Sequence, residues 1–146
     1  MQSIDGKAAR IDARYRTLLI LWFAMLMSIG FLFALTLLIP NPQHPQSDTT
    51  IIAWTFSAIG ACVALVSFVP KQKMLAQATE KQETGLVITG YIIAFGLSEA
   101  AGVFALLLFM VAKGRAYIYI FMISAISMLS HYPRRTHLLA ASYKNQ

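Results

Sequence analysis

The residue whose type and position could do chemistry in this sequence is Glu99, a carboxylic acid in the middle of a long apolar run. It is the only charged side chain between Glu83 and Lys113. A carboxylate near the centre of a bilayer costs about 2.5 to 3.5 kcal/mol on insertion scales, so its presence usually has a functional or structural reason. Gly96 and Gly102 stand three residues before and after it, leaving room on the same helical face for another helix, a water molecule or an ion.

The chemistry expected of Glu99 is that of a neutral acid. No Lys, Arg or His shares its depth in the apolar run, and desolvation without a cation favours the protonated carboxyl. Counting along the other apolar runs places Ser28, Gly60 and Ser124 near their midpoints, and the predicted polar neighbours of the acid are Ser28, Ser124 and Ser127. Three interpretations stay open: Glu99 forms a structural hydrogen bond between helices, binds a proton or cation, or anchors a ligand.

A second polar feature lies near the C-terminus. Tyr117, Ser124, Ser127 and His131 fall near one face if this part of the chain is helical, which could form a polar path from mid-membrane to one surface. The alternative is that these hydroxyls bond to nearby backbone and that His131 lies at the membrane interface.

The elements that must position these residues are four apolar runs, which span residues 17–39, 51–69, 86–112 and 116–130. The chain is 58% hydrophobic and 12% charged, against roughly 25% charged for soluble domains. A run of about 20 apolar residues crosses the hydrocarbon core as a helix. The sequence therefore predicts an all-α integral membrane bundle of four transmembrane helices that forms a single domain over residues 1–146.

Small residues mark the faces on which these helices are expected to pack. Gly60 and Ala64 belong to a small-residue seam on the second run, and Gly96 and Gly102 flank Glu99 on the third. Small side chains let helix backbones approach closely in lipid, where no hydrophobic effect draws helices together. The only cysteine, Cys62, lies among apolar residues and is expected to pack there, without a disulfide partner or metal-ligand set.

The basic residues predict the orientation. If both termini and a hairpin loop over residues 71–84 are cytoplasmic, ten of the twelve Lys and Arg side chains lie inside. This loop lacks Gly and Pro and consists of good helix formers, so the flanking helices can extend into it. The loop at residues 40–50 and the short turn at residues 113–115 then face the other side. Four basic side chains next to the apolar runs are expected to contact anionic lipid headgroups: Arg10, Arg14, Arg134 and Arg135. The expected location is a plasma membrane or a bacterial inner membrane.

The stretch YIIAFGLSEAAGVFALLLFMVA, residues 91–112, resembles the carboxylate-bearing helix of rotary ATP synthase c subunits. In that family a small-residue helix, a polar cytoplasmic loop and the acid helix follow in order, as residues 51–69, 71–84 and the Glu99 run do here. The chain lacks the family's dense glycine repeat and its Arg-Gln-Pro turn. The resemblance implies a reversible proton or sodium site at Glu99.

Enzyme activity is not expected, because the sequence contains no nucleophile elbow, phosphate-binding loop, His/Cys/Asp cluster or pair of intramembrane acids. No cofactor, metal site or nucleic-acid partner is predicted. The leading hypothesis is a small accessory or assembly subunit of a larger membrane complex, which packs against other membrane subunits or against itself. The alternative is a proton- or cation-translocating element that uses Glu99.

Overall fold

The chain forms six α-helices within the residues that the computed structural model describes, 4–40, 50–111 and 115–142, with side chains described from residue 9 onward. The helices are α1 (Ile4–Leu38), α2 (Thr50–Val66), α3 (Phe68–Lys81), α4 (Thr84–Val111), α5 (Ala116–Ser130) and α6 (Arg135–Ala140). No strand occurs in these ranges, so the all-α prediction is confirmed for them. The predicted outer loop and the Lys113 turn fall largely outside the described residues.

Three helical stretches are long and apolar enough to cross a membrane: Ala9–Leu38, Thr50–Lys81 and Thr84–Val111. The second of them comprises α2 and α3 together. The apolar α5 has 15 residues, which gives a length of about 22 Å against a hydrocarbon core of about 30 Å. The described residues are thus those of a helical bundle whose long helices suit a membrane.

The segment predicted as a loop over residues 71–84 is mostly helical. The second apolar run ends as a helix at Val66, and α3 begins at Phe68 with Pro70 in its first turn, where a missing N–H is tolerated. The residues after it lack glycine and proline and favour helix, so α3 continues to Lys81. The turn back into α4 is confined to two residues, with Gln82 in the left-handed region at φ 56°.

The central element of the bundle is α4, which contacts all five other helices. Its inward face is fully buried at Val87, Tyr91, Ala94, Phe95 and Ala101. The helix α1 runs parallel to α4. Arg14 bonds to Thr84 and Ser28 bonds to Glu99, so moving toward the C-terminus of α1 also moves toward the C-terminus of α4. The α2–α3 segment and α5 run antiparallel to α4. Because α4 contacts every other described helix, it positions the polar groups described below.

The start of α1, the α3–α4 turn and the C-terminal segment meet at one end of the bundle. Arg14 donates to the Thr84 hydroxyl, Arg135 forms an ion pair of 2.7 Å with Asp12, and Tyr15 lies 3.4 Å from the Tyr132 hydroxyl. These contacts join the segments for which the sequence predicts a common side of the membrane. We call this the basic end.

Two of the predicted small-residue contacts lie inside the bundle. A Cβ added at Gly60 would stand 2.8 Å from Ile120 Cγ2 and 3.4 Å from Phe104 Cβ, so α2 approaches both α4 and α5 closely there. Ala64, one turn further along, is 2% exposed. A Cβ at Gly102 would stand 3.2 Å from the Ser124 hydroxyl oxygen, so α4 and α5 also meet through a glycine.

Two other small residues lie on the outside. A Cβ added at Gly96 would have no atom within 4 Å, and the residue is exposed, so it packs against no other helix among the described residues. Cys62 is exposed on α2, which corrects the expectation that it packs inside the bundle. In both cases the helix is apolar on all sides, so its sequence does not distinguish the inward from the outward face.

Candidate functional site

The carboxyl of Glu99 is half-buried at the contact between α4 and α1. The Ser28 hydroxyl donates a hydrogen bond of 2.5 Å to its Oε1. Because α1 and α4 run parallel, the serine lies at the same depth as the acid. Among the described residues, Ser28 is the one hydrogen-bonding partner of this carboxyl.

Glu99 lies at the edge of an exposed row of residues along α4. Thr89, Ile92, Gly96, Val103 and Leu107 are all exposed, and they follow one another at spacings that place them on one helical face. Glu99 fills the position between Gly96 and Val103 in this row, which we call the outer row. The acid is therefore at the outer surface of the bundle, beside a glycine that leaves its surroundings open.

The other two predicted neighbours of Glu99, Ser124 and Ser127, lie on α5 and contact a different face of α4. Ser124 donates to the backbone carbonyl of Ser98 at 2.7 Å, and the hydroxyls of Ser127 and Ser98 are 2.9 Å apart. Ser98 precedes Glu99 directly, so its side chain points about 100° away around the helix. It is fully buried, whereas Glu99 is not. The structure thus separates Ser28, which is beside the acid, from Ser124 and Ser127.

A continuous row of buried hydrogen bonds leads from Ser98 to the basic end. The Ser127 hydroxyl is 3.2 Å from that of Ser67, which is 2.7 Å from His131 Nε2. On the other side of the imidazole, Nδ1 is 3.3 Å from Lys71 Nζ. We call these five residues the polar chain. It joins α4, α5 and the junction between α2 and α3, and it satisfies hydroxyls that would be costly to bury alone.

The polar path predicted for the last apolar run corresponds in part to this chain. Ser127 and His131 belong to it, and Ser124 bonds to the backbone of Ser98, where the chain begins. Tyr117 lies elsewhere, since its ring packs edge-on against Phe109 with centroids 5.0 Å apart. No hydrogen bond among the described residues joins the polar chain to Glu99, so the two features are separate.

Two ionisable groups at the basic end of the polar chain have shifted pKa values. Burial, with a smaller contribution from Lys71, lowers the pKa of His131 to about 4. Burial, with a smaller contribution from Arg134, lowers the pKa of Lys71 to about 8. Both residues lie just beyond the apolar runs. Near pH 7 the imidazole is therefore neutral, and the Lys71 ammonium is still largely protonated.

This protonation state fixes the hydrogen-bond directions. An ammonium can only donate, so His131 Nδ1 accepts from Lys71 and its Nε2 carries the hydrogen that is donated to Ser67. The Ser67 hydroxyl in turn donates to the backbone carbonyl of Ala64 at 2.6 Å. Every donor along this part of the chain thus has an acceptor, and the arrangement holds helices together at a fixed register.

A tyrosine extends the cluster at the basic end. Lys71 Nζ lies 4.7 Å from the centre of the Tyr91 ring, a distance suited to a cation–π contact. The Tyr91 hydroxyl accepts from the backbone N–H of Arg134 at 3.1 Å and lies 2.7 Å from His137 Nδ1. Because the Tyr91 oxygen accepts from Arg134, its hydroxyl hydrogen can be donated to His137 Nδ1. Tyr91 thus attaches the C-terminal segment to the first third of α4.

The predicted headgroup residues all lie at the basic end. Arg14 bonds to Thr84, Arg135 pairs with Asp12 while both side chains stay about half exposed, and Arg134 is exposed. Arg10 lines a cavity there together with Arg14. In the described part of the chain, no group of three His, Cys, Asp or Glu side chains could hold a metal ion.

Three members of the polar chain are not identified as site residues from the sequence. Ser67 and Ser98 are not singled out there, and Lys71 is only part of a predicted loop. Tyr91, which contacts Lys71, is not singled out either. The available indication was a hydroxyl inside an apolar run, which the sequence offers at many positions. Only the packing of three helices shows which of these hydroxyls meet.

Comparison of the chain with protein-family models, curated proteins and solved structures finds no match. The resemblance of residues 51–112 to rotary ATP synthase c subunits therefore stays a prediction from the sequence.

Proposed function

We propose that this chain is a non-catalytic membrane protein that crosses the bilayer four times and serves as a small accessory or assembly subunit of a larger membrane complex. Both termini and the α3–α4 turn lie in the cytoplasm in this arrangement, with the protein in a plasma membrane or a bacterial inner membrane. The contacts that gather residues 12–15, 84 and 132–135 at one end support an even number of crossings. The short α5 would cross through local thinning of the bilayer or snorkelling of its flanking residues.

The observation that carries the assembly role is the open surface beside Glu99. Gly60, Ala64 and Gly102 already pack against other helices of this chain. A Cβ added at Gly96, in contrast, would have no atom within 4 Å. A helix of another subunit could approach α4 closely at this glycine. It could then give the half-buried carboxyl a second hydrogen bond, which acyl chains cannot supply.

The test adds a side chain at Gly96 and asks whether assembly is lost. Gly96→Leu should leave the isolated chain folded, because the new side chain points into open space. Gly30→Leu is the matched control, since Gly30 on α1 also has no atom within 4 Å and lies close to the depth of Glu99. Complexes recovered in mild detergent, with or without cross-linking, should be lost for Gly96→Leu and kept for Gly30→Leu. A wild-type chain that stays monomeric and recovers no reproducible partner would overturn the proposal.

The alternative function is translocation of a proton or cation through Glu99. It is favoured by the position of the acid in the outer row, where an ion or water could reach it without passing through the core. Ser28 would hold the carboxyl in place and supply a hydrogen bond to its charged form. The resemblance of residues 51–112 to rotary ATP synthase c subunits also favours ion translocation.

Proton flux in liposomes tests the alternative. Wild-type protein should dissipate an imposed pH gradient faster than Glu99→Gln, with Ser28→Ala as the variant that keeps the acid and removes its partner. Equal flux for wild type and Glu99→Gln would exclude conduction through this residue. A ring of identical chains would favour translocation, and a fixed stoichiometry with unrelated chains would favour the accessory role.

A further inference from the structure

A polar cavity of about 260 Å³ lies at the basic end, between the start of α1, the α3–α4 turn and the residues that follow α6. Its polar lining comes from Arg10, Arg14, Gln82, Thr84 and Ser142. None of the functions proposed above uses this cavity, and the inference drawn from it is independent of them.

The charge of the lining selects an anion. Two arginines line the cavity, and no acidic side chain does so among the described residues. Arg14 is held in place by its hydrogen bond to Thr84, and its guanidinium has further N–H donors for other acceptors. Of the acids with described side chains near this end, Asp12 pairs with Arg135 and Glu83 is exposed.

Gln82 adds a requirement for a hydrogen-bond donor. Its Nε2 donates to the Thr79 carbonyl at 2.6 Å, which identifies the remaining amide atom as the oxygen. This Oε1 is buried and has no hydrogen-bond partner among the described residues. An unpaired buried acceptor is unfavourable, and an O–H or N–H group in the adjoining cavity could satisfy it after a small rotation of the amide.

The position of the cavity matches the headgroup layer of a bilayer. Arg14 stands three residues before the apolar run that begins at Thr17, and Thr84 stands two residues before the run that begins at Leu86. Arginine pairs with phosphate through paired N–H donors, and phosphate is the anion present at this depth.

We propose that this cavity binds the phosphate group of a ligand that also carries a hydroxyl or ammonium donor, with Arg10 and Arg14 on the phosphate oxygens and Gln82 on the donor. A phosphatidylglycerol headgroup and a soluble glycerol phosphate share this chemistry. The volume suits a headgroup, so the acyl chains of a bound lipid lie along the apolar surface outside.

Binding to the full-length protein in detergent, measured by native mass spectrometry, tests the proposal with three probes. Phosphatidylglycerol offers phosphate and hydroxyl donors, phosphatidylcholine offers phosphate without a donor, and glycerol 3-phosphate is the soluble form. Arg10→Gln and Arg14→Gln should each weaken phosphatidylglycerol binding by about tenfold or more, as expected for loss of a charge-assisted hydrogen bond. Arg16→Gln is the matched control, because Arg16 is exposed on the same helix and does not line the cavity.

The donor requirement is tested with Gln82→Leu, which should reduce the preference for phosphatidylglycerol over phosphatidylcholine. Binding of glycerol 3-phosphate with the same variant dependence, but without lipid binding, would support the site and identify a soluble ligand. Equal weakening by Arg14→Gln and Arg16→Gln would mean general surface attraction and would overturn the proposal. So would unchanged binding in both cavity variants, or equal binding of the two lipids by wild type. Arg10→Gln leaves the Arg14–Thr84 bond in place, so the two variants test the cavity at two separate arginines.

Discussion

Adding one methyl group at Gly60 should measurably loosen the bundle. The new Cβ of Gly60→Ala would lie 2.8 Å from Ile120 Cγ2, whereas carbon atoms pack best at about 3.5 to 4.0 Å. Ile120 is 5% exposed, and its Cγ2 branches directly from Cβ, so it cannot move aside without rotating the whole side chain. Either that rotation or a separation of α2 from α5 must follow.

The magnitude follows from comparison with a glycine that has open surroundings. Overpacking of a well-packed core costs about 1 to 3 kcal/mol, while replacing glycine by alanine in a helix gains up to about 1 kcal/mol. Gly96→Ala carries the same helical gain without a contact, because no atom lies within 4 Å of its added Cβ. Gly60→Ala should therefore be about 1 to 3 kcal/mol less stable than Gly96→Ala, or roughly 5- to 150-fold in the unfolding equilibrium.

Reversible unfolding in mixed micelles, followed by far-UV circular dichroism, measures this difference. Ile120→Leu removes the methyl on Cβ at constant side-chain volume, so the double variant should recover part of the loss and give a favourable coupling energy. Equal stability of Gly60→Ala and Gly96→Ala, or no coupling with Ile120→Leu, would refute the close approach of α2 to α5 at this glycine.

Three further predictions concern the polar groups. Ser127→Ala should cost about 1 to 2 kcal/mol, because it breaks the polar chain, whereas Ser130→Ala should cost less, since that exposed serine bonds only within its own helix; equal losses in thermal unfolding would count against the chain. The stability of the folded protein should fall as the pH drops from about 6.5 towards 4, because the unfolded chain protonates His131 in this window while burial keeps it neutral in the folded one. Thermal unfolding across pH checks this, and a decline of the same size in His131→Gln would contradict it. Glu99 should react with a lipid-soluble carbodiimide in native membranes, with Glu99→Gln as the blank, because its carboxyl lies beside an exposed row of residues; absence of labelling would mean that the reagent cannot reach the carboxyl.

Local properties of the chain were sufficient to predict much of the fold. Long apolar runs without internal proline favour helices, and α1, α2, α4 and α5 largely cover those runs. Residues 71–81 combine the two signals, because their polarity indicates a loop while their helix-forming side chains let the helix continue, and the structure is helical there. Polarity reports contact with water, and a helix can extend into water.

The candidate site was predictable only where one residue differs sharply from its surroundings. Glu99 is conspicuous because it is a single acid in an apolar run, and its pairing with Ser28 follows from two helices of matched depth. Ser98, its neighbour, looks like many other small residues in the sequence. Nothing local shows that it is fully buried and is hydrogen-bonded to Ser127.

The sequence by itself determined that the chain is helical, that its long helices suit a membrane and that its basic residues gather near the ends of the apolar runs. The tertiary structure decided which way each helix faces: Gly60 and Ser98 inward, Gly96 outward, and Glu99 at the edge. The physical reason is that a helix apolar on every side has no periodic pattern to mark its buried face. Its rotation is set by the fit of side chains against neighbouring helices, which exists only once the bundle has formed.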